Sequence, residues 1–64
     1  MKFDVEIPEW ANWIAQDSNG AWHAYEGKPD HTSYEWFHAG SIMAIAVTAK
    51  PQDWTQELYM LVWS

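Results

Sequence analysis

Apolar and charged residues alternate without interruption at the start of the chain. Across residues 2–7 every odd position is apolar and every even position is charged. A two-residue period is typical of a β-strand with one buried face, so residues 2–7 are predicted to form a strand. Pro8 cannot donate a backbone hydrogen bond to a neighbouring strand, so it ends this strand or places it at a sheet edge.

A polar turn between two further strand-like segments predicts a β-hairpin. Residues 10–16 and 21–26 flank the turn sequence Asp-Ser-Asn-Gly at residues 17–20. Aspartate suits the first position of a turn, and glycine adopts a positive φ without strain. The segment therefore indicates a type I turn with Gly20 at a bulge.

The turn also fixes a register for the hairpin. Trp13 is predicted to lie opposite Tyr25, and Gln16 opposite Trp22. A shift of one residue would exchange the two faces of each strand, so this pairing decides which side chains share a core.

The middle of the chain combines a loop with an aromatic stretch. Gly27, Pro29 and Asp30 break regular structure, so residues 27–33 are predicted to form a loop. The aromatic segment 34–38 fits a strand end, a helical turn or a packed plug, and the pattern leaves these three interpretations open.

The last third contains an apolar run and a segment with helical spacing. Residues 42–48 are apolar and β-branched, which predicts the most buried strand of the sheet. Asp53 has the position of a helix cap, and the apolar positions 54, 58, 61 and 62 share one helical face. A helix over about 53–61 is predicted, with a strand over residues 59–63 as the alternative.

These segments together predict an α+β or mainly β fold in a single domain over residues 1–64. The expected architecture is a small antiparallel sheet of three or four strands, at about 2–7, 10–16, 21–26 and 42–48, with one short C-terminal helix at about 53–61. The chain has no cysteine, which excludes disulfides and thiolate zinc sites. Its eleven aromatic residues, six of them tryptophan, can stabilise a small core instead, because each ring buries ~150–250 Å².

The charge balance narrows the class of partner. Nine acidic residues against three lysines give a net charge of −6. This argues against direct binding to nucleic-acid phosphates, which requires lysine and arginine, and suits a basic partner. No apolar run approaches the ~20 residues of a membrane helix, and the N-terminus lacks an apolar signal segment, so we expect a cytosolic protein with no membrane partner.

Candidate catalytic residues lack the arrangement that chemistry requires. The three histidines form neither an HExxH motif nor a paired metal spacing, and the serines lie in turns or at the chain end. Glu26 with Asp30 or Glu35 is the best carboxylate pair for acid–base work, but such a pair also needs a walled cleft. We therefore expect no enzymatic activity, no metal and no cofactor.

The hairpin and a later segment together resemble a known group of proteins. The pattern W-I-A-x-D-x-x-G-x-W-x-A-Y-E-x-x-P runs from Trp13 to Pro29, and Asp53-Trp54 begins a D-W-x-x-x-L segment that ends at Leu58. This order resembles small uncharacterised proteins of tailed bacteriophages and prophages. Glu57 departs from the group, where a small hydroxyl residue is usual. The resemblance implies a phage-encoded accessory protein in the cytoplasm of the bacterial host, and it carries no site residues.

Aromatic and acidic residues at element edges are the predicted partner-binding surface. The expected members are Trp10, Trp36 and Trp63, each partly exposed, with Glu9 and Glu35 beside two of them. The predicted function is to bind a bacterial host protein and inhibit or redirect it. Alternatives are a DNA mimic with a carboxylate row that includes Asp4 and Glu6, or a carbohydrate-binding, virion-associated module. A homodimer through residues 59–63 is compatible with the first interpretation.

Overall fold

A computed structural model describes residues 6–33, 35–37 and 40–62 of the chain. Within these residues the structure contains six strands and one 3-10 turn, Trp54–Gln56, which precedes the last strand. The strands are β1 (Trp13–Gln16), β2 (Ala21–Tyr25), β3 (Asp30–His31), β4 (Trp36–Phe37), β5 (Ile42–Val47) and β6 (Leu58–Met60). The described part contains no helix with the length and apolar character needed to cross a bilayer.

The strands form one antiparallel sheet of four, in the order β5-β2-β1-β6, and a separate two-stranded sheet of β3 and β4. The prediction of a small antiparallel sheet is confirmed, and the fold is mainly β. Strands predicted at 10–16, 21–26 and 42–48 are present but shorter. The strand predicted at 2–7 falls largely outside the described residues, and Glu6 and Ile7 belong to no strand.

The β1–β2 hairpin has the predicted register. Trp13 pairs with Tyr25, and Gln16 pairs with Trp22. Two backbone hydrogen bonds close the turn: the Gly20 N–H donates to Asp17 O at 3.0 Å, and the Asp17 N–H donates to Ala21 O at 2.8 Å. Gly20 has a φ of 94°, which glycine adopts without strain.

The predicted C-terminal helix at 53–61 is wrong. Asp53 does act as a cap, accepting a hydrogen bond from the Thr55 N–H at 3.1 Å, but only one 3-10 turn follows. Leu58–Met60 then pairs antiparallel with β1, which was the alternative interpretation of this segment. Long-range strand pairing decides the structure of this segment. Strand β2 hydrogen-bonds to one edge of β1, and Leu58–Met60 hydrogen-bonds to the other edge.

Two small cores lie on opposite faces of the four-stranded sheet, as the alternation of side chains along each strand requires. The first contains Ala11, Ile14, Trp22, Ala24 and Ile45, and the second contains Ala15, Tyr25 and Trp36. The segment before β1 contributes Ala11 to the first core, and the β3–β4 sheet contributes Trp36 to the second. Each core is therefore a thin layer that depends on large aromatic side chains.

The prediction that residues 42–48 are the most buried strand is also wrong. Of β5 only Ile45 is buried, at 2% exposure, whereas Ile42 is 40% and Val47 72% exposed. Among the described residues, strand β5 pairs only with β2 and so lies at the edge of the sheet. Its register shifts opposite Trp22 and His23, so that Ile45 turns into the first core.

One buried polar side chain ties the hairpin turn to the end of β5. The Gln16 amide nitrogen lies 3.1 Å from Gly20 O, 2.8 Å from Thr48 Oγ1 and 3.0 Å from Ala49 O, and its two hydrogens are shared among these three acceptors. The Trp22 indole N–H also donates to Thr48 Oγ1, at 2.9 Å. Because a buried amide is costly without partners, this network explains why glutamine is tolerated in the sheet.

Candidate functional site

A surface cleft of about 280 Å³ opens where the β3–β4 sheet meets β2 and β5. We call it the acidic cleft. Its lining residues are Asp17, His23, Tyr25, Glu35, Trp36, Phe37 and Ile42. Two carboxylates, one histidine and three aromatic rings thus converge, and no lysine or arginine is among the described lining residues.

The floor of the acidic cleft follows from strand geometry. His23 and Tyr25 are two residues apart on β2, so their side chains lie on the same face of the sheet. Their ring centroids are 6.2 Å apart. Ile42 pairs with Tyr25 from β5 and extends this floor to the edge of the sheet.

Trp36 forms one wall of the acidic cleft and holds β4 against the sheet. Its backbone N–H donates to Asp17 Oδ1 at 3.0 Å, and its indole N–H donates to Gln16 O at 3.0 Å. Its ring packs edge-on against His31 and Trp54, with centroids 5.4 and 6.0 Å away. Two ring contacts and two hydrogen bonds therefore position a strand of only two residues.

A tight turn presents Glu35 at the rim of the cleft. The Thr32 N–H and hydroxyl both donate to Glu35 O, at 2.7 and 3.0 Å, and the Glu35 N–H donates back to the hydroxyl. These bonds use only the backbone of Glu35. Its carboxylate is exposed at the rim, where a bound group can reach it.

The two carboxylates make the cleft electrically negative. Tyr25 is fully buried, and burial raises the pKa of its hydroxyl well above the ordinary value, with Asp17 and then Glu35 raising that pKa further. The hydroxyl therefore stays neutral in the physiological range. The same field that disfavours a tyrosinate favours a cation in the cleft.

His23 adds a titratable ring beside Asp17. Its Nδ1 lies 3.7 Å from Asp17 Oδ2, within ion-pair distance when the ring is protonated but too long for a hydrogen bond. Nδ1 is buried and has no hydrogen-bond partner among the described residues. Among the residues that the structure describes, the lining contains no seryl, threonyl, cysteinyl or lysyl side chain.

The carboxylates are also too dispersed to form a metal site within the described ranges. No group of three or more histidine, cysteine, aspartate or glutamate side chains there could hold an ion. The carboxylates considered from the sequence as an acid–base pair have other contacts. Glu26 instead accepts a hydrogen bond from the Ser41 N–H at 3.1 Å, and Glu35 shares the acidic cleft with Asp17.

The structure separates the residues that the sequence assigned to one binding surface. Glu35 lines the acidic cleft, and so does Trp36, but the expectation that Trp36 is partly exposed is wrong because its exposure is only 7%. Trp10 is 37% exposed, as expected, and Glu9 is exposed. Neither of these two lines the cleft. The predicted Trp63 contact lies outside the described residues.

Exposed apolar side chains continue from the acidic cleft along the sheet edge. Phe37 is 54% exposed at the cleft mouth, next to Ile42, and Val47 lies further along β5. A second exposed group, Tyr59, Met60 and Val62, lies at or beyond the opposite edge strand β6. Only the first group adjoins the concentrated negative charge.

The burial of Tyr25 predicts a pH dependence of stability. Because its pKa is raised in the folded state, its contribution is fully present below pH ~10 and is lost as pH rises through the folded pKa. Above pH ~10 we expect the free energy of unfolding to fall by about 1.4 kcal/mol per pH unit from this residue. Tyr25→Phe should remove that part of the slope in guanidinium titrations between pH 8.5 and 11.5.

Tyr59→Phe is the matched control for this measurement, because Tyr59 is solvent-exposed and its hydroxyl contacts Glu57 at the surface. This variant should keep most of the alkaline slope. An identical slope in wild type and Tyr25→Phe would show that the Tyr25 hydroxyl is not buried as the structure places it.

Comparison of the chain with protein-family models, with curated proteins and with solved structures gives no match. The basis for a function is therefore the acidic cleft itself, the composition of the chain and the resemblance carried by its hairpin residues.

Proposed function

We propose that this protein is a non-catalytic, phage-encoded accessory protein that binds a bacterial host protein through the acidic cleft and inhibits or redirects it. The observation that supports this most is the combination of two carboxylates with aromatic walls and an exposed apolar rim. The phage origin and the host cytoplasm as the place of action come from the resemblance in the hairpin. The cleft adds the chemistry of the partner.

A lysine or arginine side chain is the group that the acidic cleft suits best. Asp17 and Glu35 supply the opposite charge, and the described lining contains no lysine or arginine that would neutralise them. Trp36 and Phe37 supply aromatic surface against which an alkyl stem or a guanidinium packs. An arginine with aromatic and apolar neighbours is also the usual composition of an interface hot spot.

The exposed rim supplies affinity that charge alone does not. Surface ion pairs contribute little by themselves, because water and salt screen them. Burial of Phe37 and Ile42 against a partner removes apolar surface from water. It also excludes water from the carboxylates nearby, which strengthens their attraction to a cation. Both effects act at the same place only if the partner covers the mouth of the cleft.

Capture from a bacterial lysate with two charge-matched variants tests the proposal. Glu35→Gln removes one negative charge in the cleft, and Glu9→Gln removes one at an exposed site outside it. We expect wild type and Glu9→Gln to capture the same host protein. Glu35→Gln should weaken binding of the purified partner by about tenfold or more, with a smaller salt dependence.

Equal effects of the two variants would contradict the cleft as the site. Release of the captured protein by DNA, with weaker capture by Glu6→Gln, would instead favour the DNA-mimic alternative. Binding to glycans with no captured protein would favour the carbohydrate-binding alternative. Turnover of the captured partner that is lost in His23→Gln would contradict a non-catalytic role.

A further inference from the structure

We infer that the open edge of β5 accepts an extended segment of the partner as a fifth strand of the main sheet, with a lysine or arginine of that segment entering the acidic cleft. This inference rests on the proposed function and names its mode of binding. Three properties of the edge favour it: its composition, the direction of its backbone groups, and the charge beside it.

The composition of the β5 edge lacks the usual protection against strand addition. Residues 41–49 contain no charged residue and no proline, although edge strands commonly carry lysine or proline to block pairing. The opposite edge strand, β6, has only three residues and follows the charged Glu57. Of the two edges, β5 is the longer and the more apolar.

The backbone groups that face outward can be identified from the ladder. The Glu26 N–H donates to Ser41 O at 3.0 Å, so this pair is hydrogen-bonded across the two strands. Antiparallel pairs alternate, so Ile42 and Ala44, opposite Tyr25 and His23, turn their N–H and C=O to the open side.

The other end of β5 also has backbone groups that face outward. The Thr48 N–H donates to Gly20 O at 3.0 Å, which makes the neighbouring Val47, opposite Ala21, a residue whose backbone groups face outward. The outward groups at Ile42, Ala44 and Val47 can therefore hydrogen-bond with an added strand.

The side chains of these residues lie on the face that carries the cleft. Ile42 lines the cleft mouth, and Ile42, Ala44 and Val47 are all exposed. A residue of an added strand opposite Ile42 would have its Cβ within about 5 Å of it on this face. An apolar residue two positions along the added strand would cover Ala44. One segment can therefore hydrogen-bond to the outward backbone groups, bury the exposed apolar side chains and place a basic residue in the acidic cleft.

Charge selects a basic partner segment over a second copy of this chain. Asp17 and Glu35 lie in the cleft beside the first residue of β5, and the Glu26 carboxylate contacts Ser41, which precedes it. Two copies would bring these groups and two net charges of −6 together. A segment with a basic residue flanked by apolar residues is instead attracted to these carboxylates.

A synthetic peptide pair tests strand addition directly. The probe is a capped eight-residue peptide of alternating valine and threonine with one central arginine, and its control carries an N-methyl group on every backbone nitrogen. The side chains are identical, but the control cannot form a ladder. We expect the probe to slow amide exchange of Ile42, Ala44 and Val47 by about tenfold or more, and the control to have no such effect.

A protein variant provides the complementary control. Ala44→Pro removes an N–H that faces outward and is not used in the sheet, so folding should survive, as checked by the amide spectrum. Binding of the probe should fall by at least about tenfold. If Ala44→Pro does not fold, the peptide pair alone decides the question.

Several results would overturn the inference. Equal binding of the probe and its N-methyl control would show side-chain docking without strand addition. Protection of Ile42, Ala44 and Val47 in the free monomer would show that the chain itself covers this edge, and protection that increases with protein concentration would identify a second copy. Host capture that depends on Glu35 but not on Ala44 would leave the proposed function standing without this mode of binding.

Discussion

Replacement of Trp36 by alanine is expected to lower the free energy of unfolding by about 3–5 kcal/mol, which approaches the whole stability available to a domain of this size. Trp36 is only 7% exposed and sits in the second core against Tyr25 and Ala15. Its removal deletes the edge-on contacts with His31 and Trp54. The variant should be largely unfolded, or retain the main sheet without a docked β3–β4 sheet.

The loss of the Trp36 indole also leaves a backbone acceptor without its partner, because the indole N–H donates to Gln16 O. Trp36→Phe separates these contributions: it keeps a ring but removes the donor, so we expect a smaller loss of about 1–3 kcal/mol.

Trp10→Ala is the matched control for Trp36→Ala, since Trp10 is 37% exposed and belongs to neither core. Trp10→Ala should lower the free energy of unfolding by clearly less than Trp36→Ala does, as measured in guanidinium titrations followed by circular dichroism. A Trp36→Ala variant within 1 kcal/mol of wild type, on the scale of ordinary surface substitutions, would mean that β4 does not dock on the sheet as described.

The β1–β2 hairpin is the part of the fold that the sequence specifies most completely. Its turn uses residues 17–20, and the bonds that close it join Asp17 to Gly20 and to Ala21. Turn chemistry is local, so the residues themselves carry the geometry. The alternation of flanking residues then fixes which side chains face each other, and both predicted pairs, Trp13 with Tyr25 and Gln16 with Trp22, are present.

Strand order and the C-terminal strand could not be obtained in the same way. The apolar run at 42–48 fits both a central and an edge strand, and only the partners of β2 decide between them. Leu58–Met60 shares helical spacing with its neighbours, yet pairs with Trp13–Ala15 some forty-five positions earlier. Such long-range pairing overrides local propensity, and the residues of the segment alone do not identify β1 as its partner.

The sequence predicts only part of the candidate site, because long-range pairing also brings its residues together. Glu35 and Trp36 were singled out, but the cleft also takes Asp17 from the turn, His23 and Tyr25 from β2, and Ile42 from β5. The two-residue spacing of His23 and Tyr25 was a usable signal that they share a face. Trp36 is less exposed than the sequence predicts because its indole N–H donates to a buried acceptor, Gln16 O, that is far away in sequence.

Gly20→Ala is the second substitution with a large expected effect, about 3–4 kcal/mol of lost stability. Gly20 has a φ of 94°, where an alanine costs about 1–2 kcal/mol in strain alone. An added Cβ would also lie 2.2 Å from Thr48 O, a backbone atom that cannot move aside cheaply. Displacing Thr48 would break its N–H bond to Gly20 O and disturb the Gln16 amide that bonds to both residues.

Gly40→Ala isolates the effect of that collision, because Gly40 has nearly the same φ, 95°. There the added Cβ would lie 2.9 Å from Glu26 Oε1, the end of a flexible and exposed side chain that can rotate away. We expect Gly40→Ala to cost mainly the backbone strain, about 1–2 kcal/mol, because the Ser41 N–H bond to Glu26 Oε1 that the rotation breaks is exposed and water can replace it. Urea titrations of the two variants should therefore differ by about 2 kcal/mol, and equal losses would show that Gly20 and Thr48 do not meet as closely as the structure places them.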